Sequence, residues 1–334
     1  MLFYGQLVCA LLLDLTFGDP RFIPHPIRYI GWLCERFEKW TRYLFKEFSL
    51  RLSGILSFFL VLITTLVTTW LFLQALNTIG YTVMVAGAIL LLYFSLAVGD
   101  LIHHSRKVIN DLRRADVESA RSSVSMMVGR DTDGLDQFSI ARACIESVAE
   151  NLVDGITAPI FWSLFISLFA GLFNADPLIF AVFGAVGYKA INTMDSMYGY
   201  KNERFLKFGW CAARVDDAAN FVPARLSGFC VVAAAFILRY NYRAALQVFL
   251  TDRLKSSSPN SGHTEAAVAG AIGVQLGGEA AYFGKAQVKP IIGAQMKIPE
   301  YEDIIKTNYL VLATTFVFLG FGICVHLLLT TFVQ

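Results

Sequence analysis

The chain has 334 residues, of which 56% are hydrophobic and only 16% charged, with a formal net charge of +2. Soluble domains carry about 25% charged residues, so this composition excludes an ordinary soluble fold and calls for a bilayer. The small net charge, with no basic run interleaved with aromatics, excludes nucleic acid as a partner. Six cysteines (Cys9, Cys34, Cys144, Cys211, Cys230 and Cys324) are scattered without a C-x-x-C pair and read as reduced apolar side chains, not a disulfide or zinc framework.

Residues 1–13 form a short apolar run closed by Asp14. It is either a tilted first span or a helix packed on the bundle, because a full crossing needs about 20 residues. With no basic n-region and no A-x-A site, a cleavable signal peptide is not expected. Residues 14–31, DLTFGDPRFIPHPIRYIG, hold three prolines and two glycines. That predicts a structured loop presenting Asp14, Asp19, His25 and Arg28 to a ligand. Residues 32–52 place Trp32, Arg36, Trp40 and Tyr43 at helical spacing, the pattern of an interfacial amphipathic helix.

Residues 54–76 and 81–98 are the clearest spans, joined by an uncharged Asn-Thr-Ile-Gly. Residues 100–143 are polar and helical in pattern. Within them VGRDT, 128–132, offers a turn at Gly129 and a helix cap at Asp131 or Thr132. Residues 156–173 and 178–186 are a second apolar pair. The polar stretch 189–228 follows, then an apolar segment at 229–238, a basic amphipathic one at 239–255, and a last span at 309–333 that is apolar except for His326. Segments 226–238 and 266–276 fit either crossing or partly re-entrant paths. The whole reads as an all-α polytopic membrane protein with about five to seven membrane-embedded helices plus interfacial and cytoplasmic ones, in one integral-membrane domain of residues 1–334. Arg and Lys crowd 21–51, 106–142 and 189–225, while 77–80 and 174–177 have none. The positive-inside rule then puts the polar segments 14–31, 100–155, 187–228 and 256–285 on the cytoplasmic face of the inner membrane.

Those polar segments carry the candidate chemistry. In ACIESVAENLVDG, residues 143–155, Glu146, Glu150 and Asp154 recur at i, i+4, i+8 and share a helix face. Like charges at that spacing need a cation between them. Mg²⁺ answers that need, and so do salt bridges to Arg130 or Arg142. In 189–228, Asn192 pairs with Asp195 at i, i+3, and Asp216 and Asp217 pair with Asn220. Such acid-plus-amide sets suit Mg²⁺, while Lys189, Lys201, Arg204, Arg214 and Arg225, with Arg130, suit phosphate or carboxylate groups. An ordinary loop flanking two spans is the plainer reading of the same stretch. In SSSPNSGHTEAAVAGAIG, residues 256–273, Ser261 or Thr264 can cap a helix starting near His263 and leave its first N–H groups facing an anion. His263 and Glu265 are then candidates for acid, base or metal ligand. No P-loop, G-x-G-x-x-G or G-x-S-x-G motif is present. These residues together describe a cytoplasm-facing enzyme that uses Mg²⁺ on a phosphate-bearing substrate.

The blocks DLTFGDPRFIPHPIRYIG, VGRDT, ESVAENLVDGITAPIFW, GAVGYKAINTMDSMYGYKNERF, FGWCAARVDDAANFVPARLSG and SPNSGHTEAAVAGAIGVQLGG resemble the cobalamin-biosynthesis membrane protein family CobD/CbiB, adenosylcobinamide-phosphate synthase. The resemblance runs to about residue 284. It implies a ligase joining the propionate of adenosylcobyric acid to the amine of (R)-1-aminopropan-2-ol or its O-phosphate, dependent on ATP and Mg²⁺. Other corrinoid-pathway enzymes are conceivable partners.

Within that chemistry, the residue spacing assigns metal ligation to Glu146, Glu150, Asp154, Asn192, Asp195, Asp216, Asp217 and Asn220. It assigns substrate and phosphate binding to Lys189, Lys201, Arg204, Arg214, Arg225, Arg130, Ser261, Thr264, His25 and Arg28, and catalysis to His263 as base, with Glu265 and Asp217. Two rivals share these features: an intramembrane Mg²⁺-dependent prenyltransferase using Asn192-x-x-Asp195 and Asp216-Asp217-x-x-Asn220, and a non-catalytic scaffold for corrinoid enzymes.

Overall fold

A computed structural model describes residues 2–20, 25–45, 49–199, 203–282 and 284–333. The chain is a helical polytopic membrane protein. Among the described residues, five helical stretches are long and apolar enough to cross a membrane: Leu50–Ile79, Tyr81–Arg113, Pro177–Tyr198, Trp210–Ile237 and Tyr301–Thr331. The residues fall into two compact units, Met1–Ala97 with Ala158–Ala219 and Gly322–Gln334, and Val98–Thr157 with Asn220–Phe321.

In the first unit, α1 (Leu2–Phe17) continues past Asp14, which is buried and does not close the helix. The expected loop at 14–31 is correspondingly shorter. Helix α2 (Pro26–Leu44) begins inside it, because His25 accepts the Ile27 N–H at 3.1 Å and Pro26 occupies the first turn, where a missing N–H costs nothing. Helix α2 is the expected amphipathic one: Ile30, Leu33 and Cys34 are buried while Trp32, Trp40 and Tyr43 are exposed. Its buried face joins Phe58 and Val61 of α3 (Leu50–Ile79), Ala190, Met194 and Tyr198 of α9 (Pro177–Tyr198), and Phe208, Cys211 and Ala212 in one core. The Tyr198 hydroxyl donates to the Cys34 carbonyl at 2.7 Å, so this ring is polar-satisfied as well as packed. Helix α4 is Tyr81–Tyr93. His326, the polar residue of the last span, lies between the Tyr4 hydroxyl at 2.7 Å and Ser167 Oγ at 2.8 Å, which ties α1 and α8 (Ala158–Ser167) to the end of α13 (Tyr301–Val333).

The second unit contains α5 (Val98–Arg113), α6 (Val117–Ser125), α7 (Gln137–Leu152), α11 (Tyr242–Asp252) and α12 (Ser261–Ile272). Asp136 caps α7 by accepting the Ser139 N–H at 2.7 Å, so neither Asp131 nor Thr132 does so. Residues 226–237 belong to one continuous helix, α10 (Trp210–Ile237), with Pro223 inside it. A proline cannot bond the carbonyl four residues back. The Trp162 indole N–H takes that Ala219 carbonyl instead, at 3.0 Å. Every residue of α12 is buried. Its 12 residues reach about 18 Å, short of a crossing, and it packs as a core helix. Gly270 makes that packing possible, since a Cβ there would lie 2.4 Å from the Ala244 carbonyl oxygen of α11.

A feature absent from the sequence reading follows α12. Strands β1 (Leu276–Tyr282) and β2 (Lys285–Ile292) form an antiparallel hairpin. The register slips between Leu276 and Gly278, a bulge with Gly277 at φ +83°. Asp131 anchors the hairpin: its N–H donates to the Ala281 carbonyl at 2.8 Å and its Oδ2 accepts the Gly284 N–H at 2.7 Å.

Candidate carboxylate site and polar pairs

The second unit gathers three glutamates with two cations. Glu146 on α7 is buried, and both of its oxygens are engaged. Oε2 is ion-paired with Arg130, and Oε1 accepts the N–H of Gly277, which the bulge has freed from the strand ladder, at 2.7 Å. Lys289 on β2 brings its Nζ within 4.0 Å of Glu146 Oε2. Burial disfavours the Lys289 ammonium, but Glu146 and Tyr282 together outweigh it, and the net pKa is raised. Salt bridging to Arg130, one of the two readings of Glu146 open from spacing, is thus what this carboxylate does.

Glu265 on α12 and Glu150 on α7 are different. Glu265 is 8% exposed. Burial first, then the charges of Glu150 and Glu146, push its carboxyl up to about 8, against the opposing pull of Lys289 and Arg130. Glu150 is raised for the same leading reason, with Lys289 pulling it down and Glu146 pushing it up. Glu150 itself is exposed on α7, whereas Glu265 is buried. Of the three, Glu265 is the carboxyl that holds an exchangeable proton near neutral pH. Asp154, the third acid of the predicted helix face, falls instead in a π-turn (Val153–Thr157) that follows α7 and rotates the later side chains off the α-helical stripe.

His263 is 1% exposed, and neither ring nitrogen has a hydrogen-bond partner among the described residues. Burial, then Arg225 and Arg253, push its pKa down to about 4 and keep it neutral. Ser261 and Thr264 do not cap α12. Asn260 holds the cap position, Ser261 Oγ meets Ser256 Oγ at 2.9 Å, and Thr264 Oγ1 donates to the Ser261 carbonyl. Ser258 Oγ instead accepts the N–H groups of Asn260 and Ser261, at 3.2 and 3.3 Å.

In the first unit, α9 and α10 bring Asn192 and Asp216 together, with Asn192 Nδ2 3.4 Å from Asp216 Oδ1. Lys189 and Asp195 flank Asn192 on α9, and the partly buried Asp217 adjoins Asp216 on α10. Asn220, one helical turn beyond Asp216, is buried. Among the described residues, no three His, Cys, Asp or Glu side chains are grouped to enclose a metal ion. The Asn192 amide nitrogen faces Asp216 as a donor, so the oxygens this pair could offer a Mg²⁺ are Asn192 Oδ1 and the remaining carboxylate lone pairs, with water and substrate phosphate completing the shell. Arg214 is exposed. Arg204 and Arg42 both engage the buried Glu38, Arg204 at 3.0 Å, and Arg42 also lies 4.4 Å from the Phe208 ring centroid. His25 faces Asp19 at 3.7 Å, and Arg28 is exposed on the first turn of α2. Lys201 lies outside the described residues.

Lys289, Glu38 and Arg253 were not among the residues singled out from sequence. Lys289 was within reach, since a Gly-marked turn at 284 between two extended runs is a hairpin signal. Glu38 and Arg253 lie on amphipathic helices where a charge reads as solvated.

Residues 7–311 match the family described as CobD/Cbib protein. The chain is 43% identical over 317 residues to the cobalamin biosynthesis protein CobD of Desulfotalea psychrophila, which covers 94% of this chain and 95% of that relative. It is 42% identical to the protein of the same name from Clostridium perfringens (91% of each chain), and 42% identical to that from Listeria monocytogenes (98% and 99%). No solved structure matches the chain.

Proposed function

Because the chain belongs to the CobD/Cbib family, we propose that it serves cobalamin biosynthesis as a membrane-embedded ligase. It joins the propionate of adenosylcobyric acid to the amine of (R)-1-aminopropan-2-ol or its O-phosphate, with ATP as co-substrate. Support at the site comes from Glu265: a buried carboxyl pushed up to about 8 exchanges a proton near neutral pH, which amide formation from an ammonium needs.

The chemistry balances in two displacements. A carboxylate oxygen of the corrinoid attacks the γ-phosphorus, giving an acyl phosphate and ADP. The neutral amine nitrogen then attacks the carbonyl carbon, and phosphate leaves with the C–O electron pair. The ionised form of Glu265, in equilibrium with its protonated form near neutral pH, accepts the proton that the ammonium must lose. His263, held neutral by burial and two arginines, is too weak a base for that task and is better suited to donate an N–H. Arg130 and Lys289 pair with Glu146, which leaves proton transfer to the other glutamates. Lys189 and Arg214 supply cationic donors for nucleotide phosphate. Asn192 and Asp216 would hold Mg²⁺, whose contribution when bound is to neutralise charge on the nucleotide phosphates. Charge asymmetry supports a cytoplasm-facing site in the inner membrane.

The test is mass spectrometry of adenosylcobyric acid incubated with the purified full chain, ATP, Mg²⁺ and aminopropanol phosphate. A product heavier by the amine minus water, formed with stoichiometric ADP, is expected. Unchanged corrinoid, or diphosphate release from a prenyl donor in its place, would overturn the assignment.

A further inference from the structure

Arg225 on α10 and Arg253 at the end of α11 belong to the second unit, and among the described residues neither is ion-paired with a carboxylate. Phe249, one turn before Arg253, packs on Gly228 and on Phe229 at 4.8 Å between centroids, one turn beyond Arg225, so the α10–α11 contact brings the two cations into one neighbourhood. Arg253 Cζ is 5.5 Å from the ring centroid of the buried Phe249, and the same ring lies 5.8 Å from the His263 imidazole. Arg225 stacks on Phe221 at 3.4 Å. Each guanidinium spends Nη1 on a carbonyl of its own helix, Phe221 O and Leu250 O, both at 2.6 Å. The rest of each donor fork is uncommitted. Two neighbouring cations and a buried imidazole with no hydrogen-bond partner among the described residues are unfavourable as a purely structural cluster. An oxyanion would reverse the sign of every one of those terms. An arginine within a membrane-crossing helix points the same way, since charge at that position is costly without a task.

We propose that Arg225, Arg253 and His263 form a phosphate-binding subsite, with the guanidinia supplying charge and the neutral imidazole an N–H donor. This deepens the reading above and rests on it only for the identity of the rest of the ligand. The phosphate comes either from a soluble phosphate compound or from a lipid headgroup. The experiment uses the full chain in phosphatidylcholine nanodiscs, titrated calorimetrically with inorganic phosphate. In parallel, native mass spectrometry scores retention of phosphatidylglycerol. Saturable phosphate binding that weakens at least tenfold in both Arg225→Gln and Arg253→Gln, and less in Arg253→Lys, identifies a soluble ligand. Phosphatidylglycerol retained by the parent chain and lost in the same variants identifies a headgroup. Binding of neither probe, or binding unchanged in folded Arg253→Gln, overturns the subsite. No turnover is needed, so a negative result here leaves the ligase assay untouched.

Discussion

Glu265 and His263 sit two residues apart on one buried helix, yet their protonation equilibria are driven in opposite directions. Burial favours the neutral form of each, which raises a carboxyl and lowers an imidazole; neighbouring glutamates and arginines then add to each shift. For Glu265 this has a measurable consequence. Its carboxyl titrates near 4.5 when unfolded and near 8 when folded, so between those values the folded chain binds more protons than the unfolded one. Stability therefore falls as pH rises through that window, and levels off above about 8. Glu265→Gln should flatten that slope and gain most, relative to the parent, at the alkaline end. Thermal unfolding in detergent from pH 4.5 to 8.5 checks this; parallel curves would reject a protonated Glu265. The residue types were legible in the sequence as an acid–base pair. Which of them holds a proton at neutral pH was not, because desolvation depends on what packs around α12.

At the scale of elements, the hairpin is the part that periodicity did not announce. Its strands are short, β2 is mostly exposed and β1 mostly buried or half-buried, so neither prints the alternation of a half-buried sheet on the sequence. Its bulge nonetheless delivers the Gly277 N–H to Glu146. At φ +83° an L-side chain is strained, and a Cβ would lie 2.1 Å from the Pro290 carbonyl oxygen. Gly277→Ala should cost roughly 1–3 kcal/mol locally. Amides of residues 276–292 should then exchange faster with deuterium, and product formation should fall by about tenfold. Unchanged exchange would show that the bulge tolerates a side chain. The expected capping residues do not hold their places: Asn260, not Ser261 or Thr264, occupies the cap of α12. Asp136 caps α7 while Asp131 docks the hairpin, a choice between two nearby aspartates that only the chain path makes.

For the whole molecule, five apolar helices establish an integral membrane protein. The remaining question of side is set by charge. The connection at 77–80 carries none, and the stretch after α9 is rich in Lys and Arg, which predicts opposite accessibility. Thr78→Cys should react with an impermeant maleimide in intact cells, whereas Lys207→Cys should react only after permeabilisation; both side chains are exposed. The reverse labelling pattern would invert the orientation.

The apolar runs alone determined that this chain enters a bilayer, because the transfer free energy of some twenty consecutive residues outweighs any local preference. The ordered polar blocks determined the family, which the matches bear out. Asn192 and Asp216 were both named from helical spacing, but spacing sees only one helix at a time, and their meeting across α9 and α10 belongs to the fold. The same holds for Glu146, whose spacing left a metal and an arginine equally open until the bulge and Arg130 took its two oxygens. Local sequence sets which side of an element a group occupies. Partners drawn from distant elements set its charge state, and those are chosen by burial and packing.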